Sequence, residues 1–401
     1  MKEIKEPIWT KDFIIVSIIN FIAILIFFLL MVTISSYAVD TYQVSTSIAG
    51  LVSSIFIIGS LIGRIGAGRL ISSSGPQKML LIGLILFFVT TTLYLIEWGV
   101  VYLLIVRLLQ GIAVGTVGTA TGTIVATILP ASRKGEGIGY FSLSAILATA
   151  IGPFVGMFML KLENGFDVIF YMNTALSLIL LIAYFFVKIS LPQPNKQNGH
   201  QAEKLSFLEK FIEPKALPIS FIALLIGFAY SGIMTFITFY AREINLVEAA
   251  SYFFLAYAGV VVISRPFTGK LMDVRGPNII VYPCLAVFAI GMLLFSQASA
   301  GWMLLLAAVL IGFGYGNFNS IAQTIAVKVT EPHRFGLATS TYFILYDLGL
   351  GVGPFILGMI EPYTTYRTIF VSMIPLILIC IPLYYLLVGR KRRLAKFLLS
   401  N

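Results

Sequence analysis

Long runs free of charged residues recur along the chain, bounded by charges or turn residues. They cover Phe13–Val39, Thr41–Gly63, Met79–Ile96, Leu108–Ala131, Gly137–Leu160 and Val168–Val187. After a polar stretch come Ala216–Ala241, Ala249–Ser264, Ile279–Ala298, Gly301–Val327, Phe335–Ile360 (interrupted at Asp347) and Thr368–Gly389. A bilayer core about 30 Å thick is crossed by roughly 20 apolar helical residues, and each run is close to that length. The ninth and tenth runs are divided at Ser296–Gly301, because residues 276–327 are uncharged throughout and too long for one crossing. Period-two alternation, the mark of a membrane barrel, does not appear in them. The pattern predicts an all-α integral membrane protein of twelve transmembrane helices.

Composition agrees. Of 401 residues, 59% are apolar and 11% charged, against about 25% charged in soluble domains. A water-soluble core grows too slowly with chain length to hide such an excess. A soluble enzyme, a nucleic-acid reader and a disordered scaffold are therefore excluded. The net charge of +10 is a topology signal: with both termini in the cytoplasm, 23 of the 27 Lys and Arg fall on that side. Lys161, Arg242 and Arg367 fall outside and Arg107 within the fourth run, so the positive-inside bias sets the orientation. The basic tail Arg390–Lys396 either rests on anionic lipid head groups or is solvated. The first twelve residues lack a secretory cleavage site and the first run is too long for a signal core, so it is expected to stay as a membrane span. Cys284 and Cys380 lie far apart in apolar runs, giving neither a disulfide framework nor metal-ligand spacing. No metal and no cofactor are expected.

The chain also repeats itself. Gly63-Arg64-Ile65-Gly66-Ala67-Gly68-Arg69-Leu70, running on to Gly75-Pro76, matches Ser264-Arg265-Pro266-Phe267-Thr268-Gly269-Lys270-Leu271, running on to Gly276-Pro277. The same offset of 201 residues pairs Gly111 with Gly312, Gly115 with Gly316, Arg133 with Arg334, Gly135 with Gly336 and Gly152-Pro153-Phe154 with Gly353-Pro354-Phe355. The chain therefore reads as two pseudo-symmetric six-helix bundles, residues 1–190 and 217–401, joined by a cytoplasmic linker over 191–216. Six is even, so the repeat is parallel, the arrangement that supports alternating access around a midplane cavity.

These residues resemble the major facilitator superfamily, and within it the twelve-helix drug/proton antiporter branch of exporters. The likeness covers nearly the whole chain. The loop after the second helix, Gly68-Arg69-Leu70-Ile71-Ser72-Ser73-Ser74-Gly75, is similar to the family's G-x-L-x-D-R-x-G, with Ser72 in place of the aspartate. The second copy, Gly269-Lys270-Leu271-Met272-Asp273-Val274-Arg275-Gly276, keeps the acid. The resemblance implies that this acid latches one conformational state through a charge contact with a neighbouring helix. It marks Gly68, Arg69, Gly75, Asp273 and Arg275 as switch residues. Arg107-Leu108-Leu109-Gln110-Gly111 is similar to R-x-x-Q-G, whose arginine the family links to proton movement. Ala148 to Gly156, containing Gly152 and Pro153, resembles the exporter motif G-x-x-x-G-P-x-x-G, and Gly349 to Pro354 repeats it with Gly353 and Pro354. Both prolines can kink their helices.

Asp347 is the carboxylate deep inside an expected span. An Asp at a helix centre costs about 2.5–3.5 kcal/mol on insertion scales, so it is expected to face a wet cavity or a partner, or to carry a proton. Proton carriage is the functional reading; an inter-helix hydrogen bond is the alternative. Arg107 either faces the cavity beside a carboxylate or an anionic substrate group, or snorkels to the head groups. Arg64 and Arg265 are placed near the cytoplasmic ends of the second and eighth helices and read as structural. Gly111, Gly115, Gly118 and Gly122 give the fourth helix a smooth face for close contact. Asn20, Gln110, Thr116, Tyr230, Ser231, Asn317, Asn319, Gln323, Tyr342 and Tyr346 form a polar and aromatic stripe expected to line the cavity, some of them bridging helices instead.

The function these features imply is proton-coupled export of small amphipathic compounds across the cell membrane. A dedicated exporter of one polar metabolite, such as an opine-type metallophore like staphylopine, is the alternative, favoured by the lack of an acid between Phe13 and Val39. An uptake carrier, a transceptor and a lipid flippase follow. An ATPase is disfavoured, since no G-x-x-x-x-G-K-[ST] occurs. The expected partners are a small-molecule substrate, protons and membrane lipids. Nucleic acid is not among them, and two halves completing a path within one chain make a monomer the expected state.

Overall fold

The computed structural model describes residues 7–44, 46–160, 162–188, 211–360 and 363–390. Most of the linker expected over 191–216, and the basic tail, lie outside them. The described residues form helices and connecting turns, with no strand among them. The first six long helices are α1 Lys11–Tyr42, α2 Thr46–Ser74, α3 Pro76–Thr92, α4 Val100–Ile128, α5 Lys134–Met159 and α6 Gly165–Tyr184. Then follow α7 Leu217–Glu243, a short α8 Val247–Ser251, α9 Phe253–Arg275 and α10 Asn278–Ser296. The last are α11 Gly301–Ile311, α12 Asn317–Lys328, α13 Phe335–Ile360 and α14 Tyr366–Tyr384. A π-helical turn, Gly312–Gly316, joins α11 to α12 into one crossing.

Eleven of the crossings are long and apolar enough to span a membrane. The remaining one, α9, has 23 residues, about 34 Å at 1.5 Å per residue, and is diluted by Arg265, Lys270, Asp273 and Arg275. Here the expected boundaries need correction. The second and eighth spans, expected to stop before their arginines, continue to Ser74 and Arg275. A helix carries a charge through a bilayer when the side chain turns inward, and Arg64 and Arg265 are both buried. Arg265 therefore sits in the middle of α9, away from its C-terminal end.

Real breaks occur at the paired glycines. Gly75 at φ 80° precedes α3, and Gly276 at φ 86° ends α9. Such a φ is open to glycine without strain, and the proline after each cannot continue the preceding helix's hydrogen bonding.

The helices fall into two units. Unit 1 lies within Met1–Ala131, Ser144–Glu213 and Glu331–Ser340; unit 2 within Ser132–Leu143, Pro214–Thr330 and Thr341–Asn401. In unit 1 the backbones of α2 and α4 touch. A Cβ on Gly111 would lie 2.2 Å from the Phe56 carbonyl oxygen, one on Gly115 2.2 Å from that of Ser60, and one on Gly59 2.1 Å from that of Leu108. Unit 2 repeats the contact at the same offset: Gly312 faces the Tyr257 carbonyl at 2.7 Å and Gly316 the Val261 side chain at 2.5 Å. Without a hydrophobic force between helices in lipid, small residues that admit close approach carry the association.

Gly111→Ala and Gly59→Ala are accordingly expected to destabilise the protein by about 1–3 kcal/mol. Gly66→Ala, on the same α2 but with nothing within 4 Å of the added carbon, should stay within about 0.5 kcal/mol. Thermal unfolding of the purified chain in detergent measures the difference, and equal losses at all three positions would refute the contact.

Candidate functional site

The sequence-derived candidates fall into one group in each unit. In unit 1, Arg107 is fully buried and does not snorkel. Its Nε donates to the Val52 carbonyl at 3.1 Å, Nη1 donates to Gln110 Oε1 at 3.1 Å, and the guanidinium stands 4.8 Å over the Phe56 ring. Gln110 Oε1 also accepts from the Tyr94 hydroxyl at 2.7 Å, and its Nε2 donates to Thr91 at 3.5 Å. These contacts bind α2, α4 and the end of α3 together. Asn20 on α1 donates to Ser144 Oγ at 2.9 Å and accepts from Thr121 at 3.4 Å, bridging α5 and α4. Thr116 turns its hydroxyl back to the Ile112 carbonyl of its own helix. Arg107, Gln110 and Asn20 thus act as ties between helices, whereas Thr116 does not.

Unit 2 carries a different cluster. Asn317 opens α12 and is fully committed: its Nδ2 donates to Ser264 Oγ at 2.8 Å and to the Phe313 carbonyl at 2.9 Å, and its Oδ1 accepts from Thr268 at 2.9 Å. This fixes α9 against the π-helical turn. From α9, Arg265 Nη2 donates to the Gly316 carbonyl at 2.7 Å. The Tyr230 ring stacks on Tyr315, centroids 3.8 Å apart, and on Tyr257 at 5.7 Å. The Tyr315 and Tyr346 hydroxyls meet at 2.6 Å, and Tyr346 lies parallel to Tyr342. The Tyr342 hydroxyl donates to the Asn319 carbonyl at 2.7 Å and contacts that residue's Oδ1. Asp347 follows Tyr346 on α13 and is within electrostatic range of Tyr342 and Tyr346. Tyr342 is buried, whereas Asn319, Tyr346 and Asp347 are half-exposed.

Tyr230, Asn317, Asn319, Tyr342, Tyr346 and Asp347 are thus brought together. Ser231 and Gln323 are not. Ser231 donates to Phe228 in its own helix and packs against Gly353. Gln323 accepts from Ser142 at 3.4 Å. Sequence reasoning missed Tyr257, Tyr315 and the central position of Arg265. The signal present was the glycine-dense Gly312-Phe313-Gly314-Tyr315-Gly316, since π-turns inside helices often mark functional positions. An open cavity of about 410 Å³ beside α8 and the start of α11, lined by Glu248, Tyr252 and Trp302 among others, includes none of these residues.

The switch residues also divide. Asp273, near the end of α9, accepts from the backbone N–H of Gly135 and of Glu136, both at 2.9 Å, and pairs with Lys328 Nζ at 2.6 Å. A carboxylate on the first turn of a helix meets unpaired N–H groups and the positive end of the helix dipole; here the helix is α5. A Cβ on Gly135 would lie 2.7 Å from Asp273 Oδ1, so the glycine admits the acid. Arg275 is exposed. At the matching place in unit 1, Ser72 turns its hydroxyl back to the Arg69 carbonyl. Gly68 packs on Ser340, and Gly336 on Ile71. The charge contacts there come from the end of the linker. Glu213 pairs with Arg334 just before α13, and the Arg69 guanidinium lies 4.7 Å over the Phe211 ring. Gly152 packs against α1 at Leu25 and Phe28. Pro153 and Pro354 lie within α5 and α13, and their side chains fall outside the described residues. Cys284 and Cys380 are buried thiols, and the described residues hold no cluster of His, Cys, Asp and Glu suited to a metal ion.

Comparison with known proteins places this architecture. The chain is 26% identical over 317 residues to an uncharacterized MFS-type transporter of Methanocaldococcus jannaschii, covering 78% of this chain and 81% of that one. It is 26% identical over 329 residues to the multidrug resistance protein MdtG of Salmonella typhimurium, covering 80% of each. Among solved structures, the human organic anion transporter MFSD10 superposes with a TM-score of 0.78 at 15% identity, over 94% of this chain and 100% of that one. The proton:xylose symporter XylE gives 0.71 at 15% identity, over 94% and 96%. At such identities these two structures speak for the fold. The Major Facilitator Superfamily model matches residues 16–349 and 280–399, and the chain therefore belongs to that superfamily, as a multi-pass membrane transporter with the major facilitator fold.

Proposed function

We propose that the chain is a proton-driven exporter of small amphipathic compounds in the cell membrane, acting as a monomer with both termini in the cytoplasm. The observation that carries this reading is the place of Asp347. It lies halfway along α13, whereas every other described carboxylate lies in a loop, in the short α8 or in the first or last turn of a long helix. It is half-exposed, beside the hydroxyl-bearing Tyr342 and Tyr346, and its carboxylate can take up and release a proton. An acid at that depth is expensive to keep charged, so its cost is met in a cycle that loads and unloads a proton. One charge crossing the membrane supplies about 2.3 kcal/mol per 100 mV, enough to drive uphill export. The multidrug relatives support the export direction. Arg107, held within unit 1, contributes by keeping α2, α3 and α4 rigid.

In this reading Asp273 is the latch. Its carboxylate holds the first turn of α5 and Lys328 together, and releasing them lets the helices exchange positions during alternating access. Gly68, Arg69 and Gly75 form the matching corner of unit 1. There the Glu213–Arg334 pair stands in for the acid missing at Ser72. Gly152, Pro153, Gly353 and Pro354 shape the helices that move.

In inverted vesicles carrying a pH gradient, Asp347→Asn is expected to lose gradient-driven transport down to the level of empty vesicles, with the folded yield unchanged. Persistence of gradient-driven transport in that variant would remove Asp347 from the coupling step. The cargo is found by comparing metabolites in medium and cytosol with and without the protein, at two external pH values. Asp273→Asn, which keeps an acceptor for the α5 N–H groups but loses the charge, is expected to cost about 1–3 kcal/mol in thermal unfolding and to slow transport. Unchanged stability and rate together would show that the latch has no part in the cycle.

A further inference from the structure

Arg265 is a buried charge whose hydrogen bonding is incomplete. It is 2% exposed, and it forms no ion pair among the described residues. Its one hydrogen bond runs from Nη2 to the Gly316 carbonyl. Its Nε is buried with no protein acceptor. Taking a guanidinium out of water costs several kcal/mol unless a partner anion and full hydrogen bonding restore the loss. The arginine of unit 1 shows the contrast, since Arg107 engages both Nε and Nη1.

What surrounds Arg265 is equally specific. Tyr257, Tyr342 and Tyr346 lie within its electrostatic range, and Tyr230 and Tyr315 complete a stacked aromatic wall. The internal repeat supplies a control. Arg64 is the counterpart of Arg265 at the offset of 201, yet the counterparts of the five tyrosines are Leu29, Phe56, Val114, Phe141 and Ala145. The arginine belongs to both halves, but the hydroxyl-bearing wall belongs to one. Helix packing alone accounts for a repeated arginine and leaves five added tyrosines unexplained.

A planar guanidinium with a free N–H edge is matched by a carboxylate, which accepts from the fork with charge-assisted hydrogen bonds. Tyrosine faces are matched by a flat apolar body, and their hydroxyls supply the remaining donors. Tyr346 and Asn319 are the half-exposed members of this cluster. We propose that Arg265 is the anion-recognising residue of the cargo site, and that the cargo is a small organic carboxylate with a flat apolar portion. The proposal rests on the exporter reading above and names the substrate class of that same site. Asp347 remains the proton carrier.

The test uses the purified full chain in detergent and three probes of one shape: 3-phenylpropionate, its amide and phenethylamine. Thermal unfolding is expected to shift upward, saturably, with the carboxylate and not with the amide or the amine. Arg265→Gln is expected to weaken the apparent affinity for the carboxylate about tenfold or more, and Arg265→Lys to retain part of it. Asp347→Asn is expected to keep the shift, which separates this claim from proton coupling. If Arg265→Gln does not fold, Tyr346→Phe together with the carboxylate-over-amide preference of the natural chain decides the matter. Four results would each overturn the assignment: equal stabilisation by the amide or amine, no stabilisation by the carboxylate, the same shift from sodium chloride alone, or a full shift in Arg265→Gln.

Discussion

Inside a bilayer no water completes the hydrogen bonding of a polar group, so each one must find its partner within the protein. That constraint sorts the buried polar residues of this chain. Gln110, Tyr94 and Thr91 close a network with Arg107, and Asn20 closes one with Ser144 and Thr121. Asn317 uses both ends of its amide on α9 and the π-helical turn. These groups hold helices in register. Around Tyr346 and Asp347 the polar surface is half-exposed, and at Arg265 a donor is left over.

The same constraint governs the backbone. Helices with all their main-chain hydrogen bonds internal associate in lipid by contact, and the contact is closest where a side chain is missing. Gly111 against Phe56 and Gly312 against Tyr257 are one contact written twice, 201 residues apart. The duplication therefore fixes more than the helix number; it fixes which faces meet inside each unit. The copies then diverge by substitution. Ser72 stands where the second copy carries Asp273, and aliphatic or phenyl side chains in the first copy stand where the second has tyrosines. The contacts of Asp273 with α5 and Lys328 and a hydroxyl-lined wall consequently reside in the second unit, and the first is tied by Arg107 and by the end of the linker.

Much of this was legible in the sequence. Apolar runs announced the crossings, and the offset announced the repeat. Asp347 stood out because a lone carboxylate in an apolar run is rare. The failures share one cause. Bounding helices by charge cuts α2 at Arg64 and α9 at Arg265, although an inward-facing arginine lets a helix continue. With α9 cut short, Arg265 reads as a helix-end residue, and Tyr257 and Tyr315 go unseen beside the expected Tyr230, Tyr342 and Tyr346. The π-turn was hidden too, because an extra residue per turn leaves no trace in hydropathy, only in the glycines that permit it. Partners such as Ser144 for Asn20 or Glu213 for Arg334 are long-range, and local pattern does not reach them.

The account turns on Asp347 gaining and losing a proton within unit 2. Infrared difference spectroscopy of the full chain in lipid, stepping the pH and comparing it with Asp347→Asn, reads that event directly through the carbonyl stretch of a protonated carboxyl group. The account predicts a pH-dependent band in the natural chain that the Asn variant lacks. Identical difference spectra for the two proteins would contradict it.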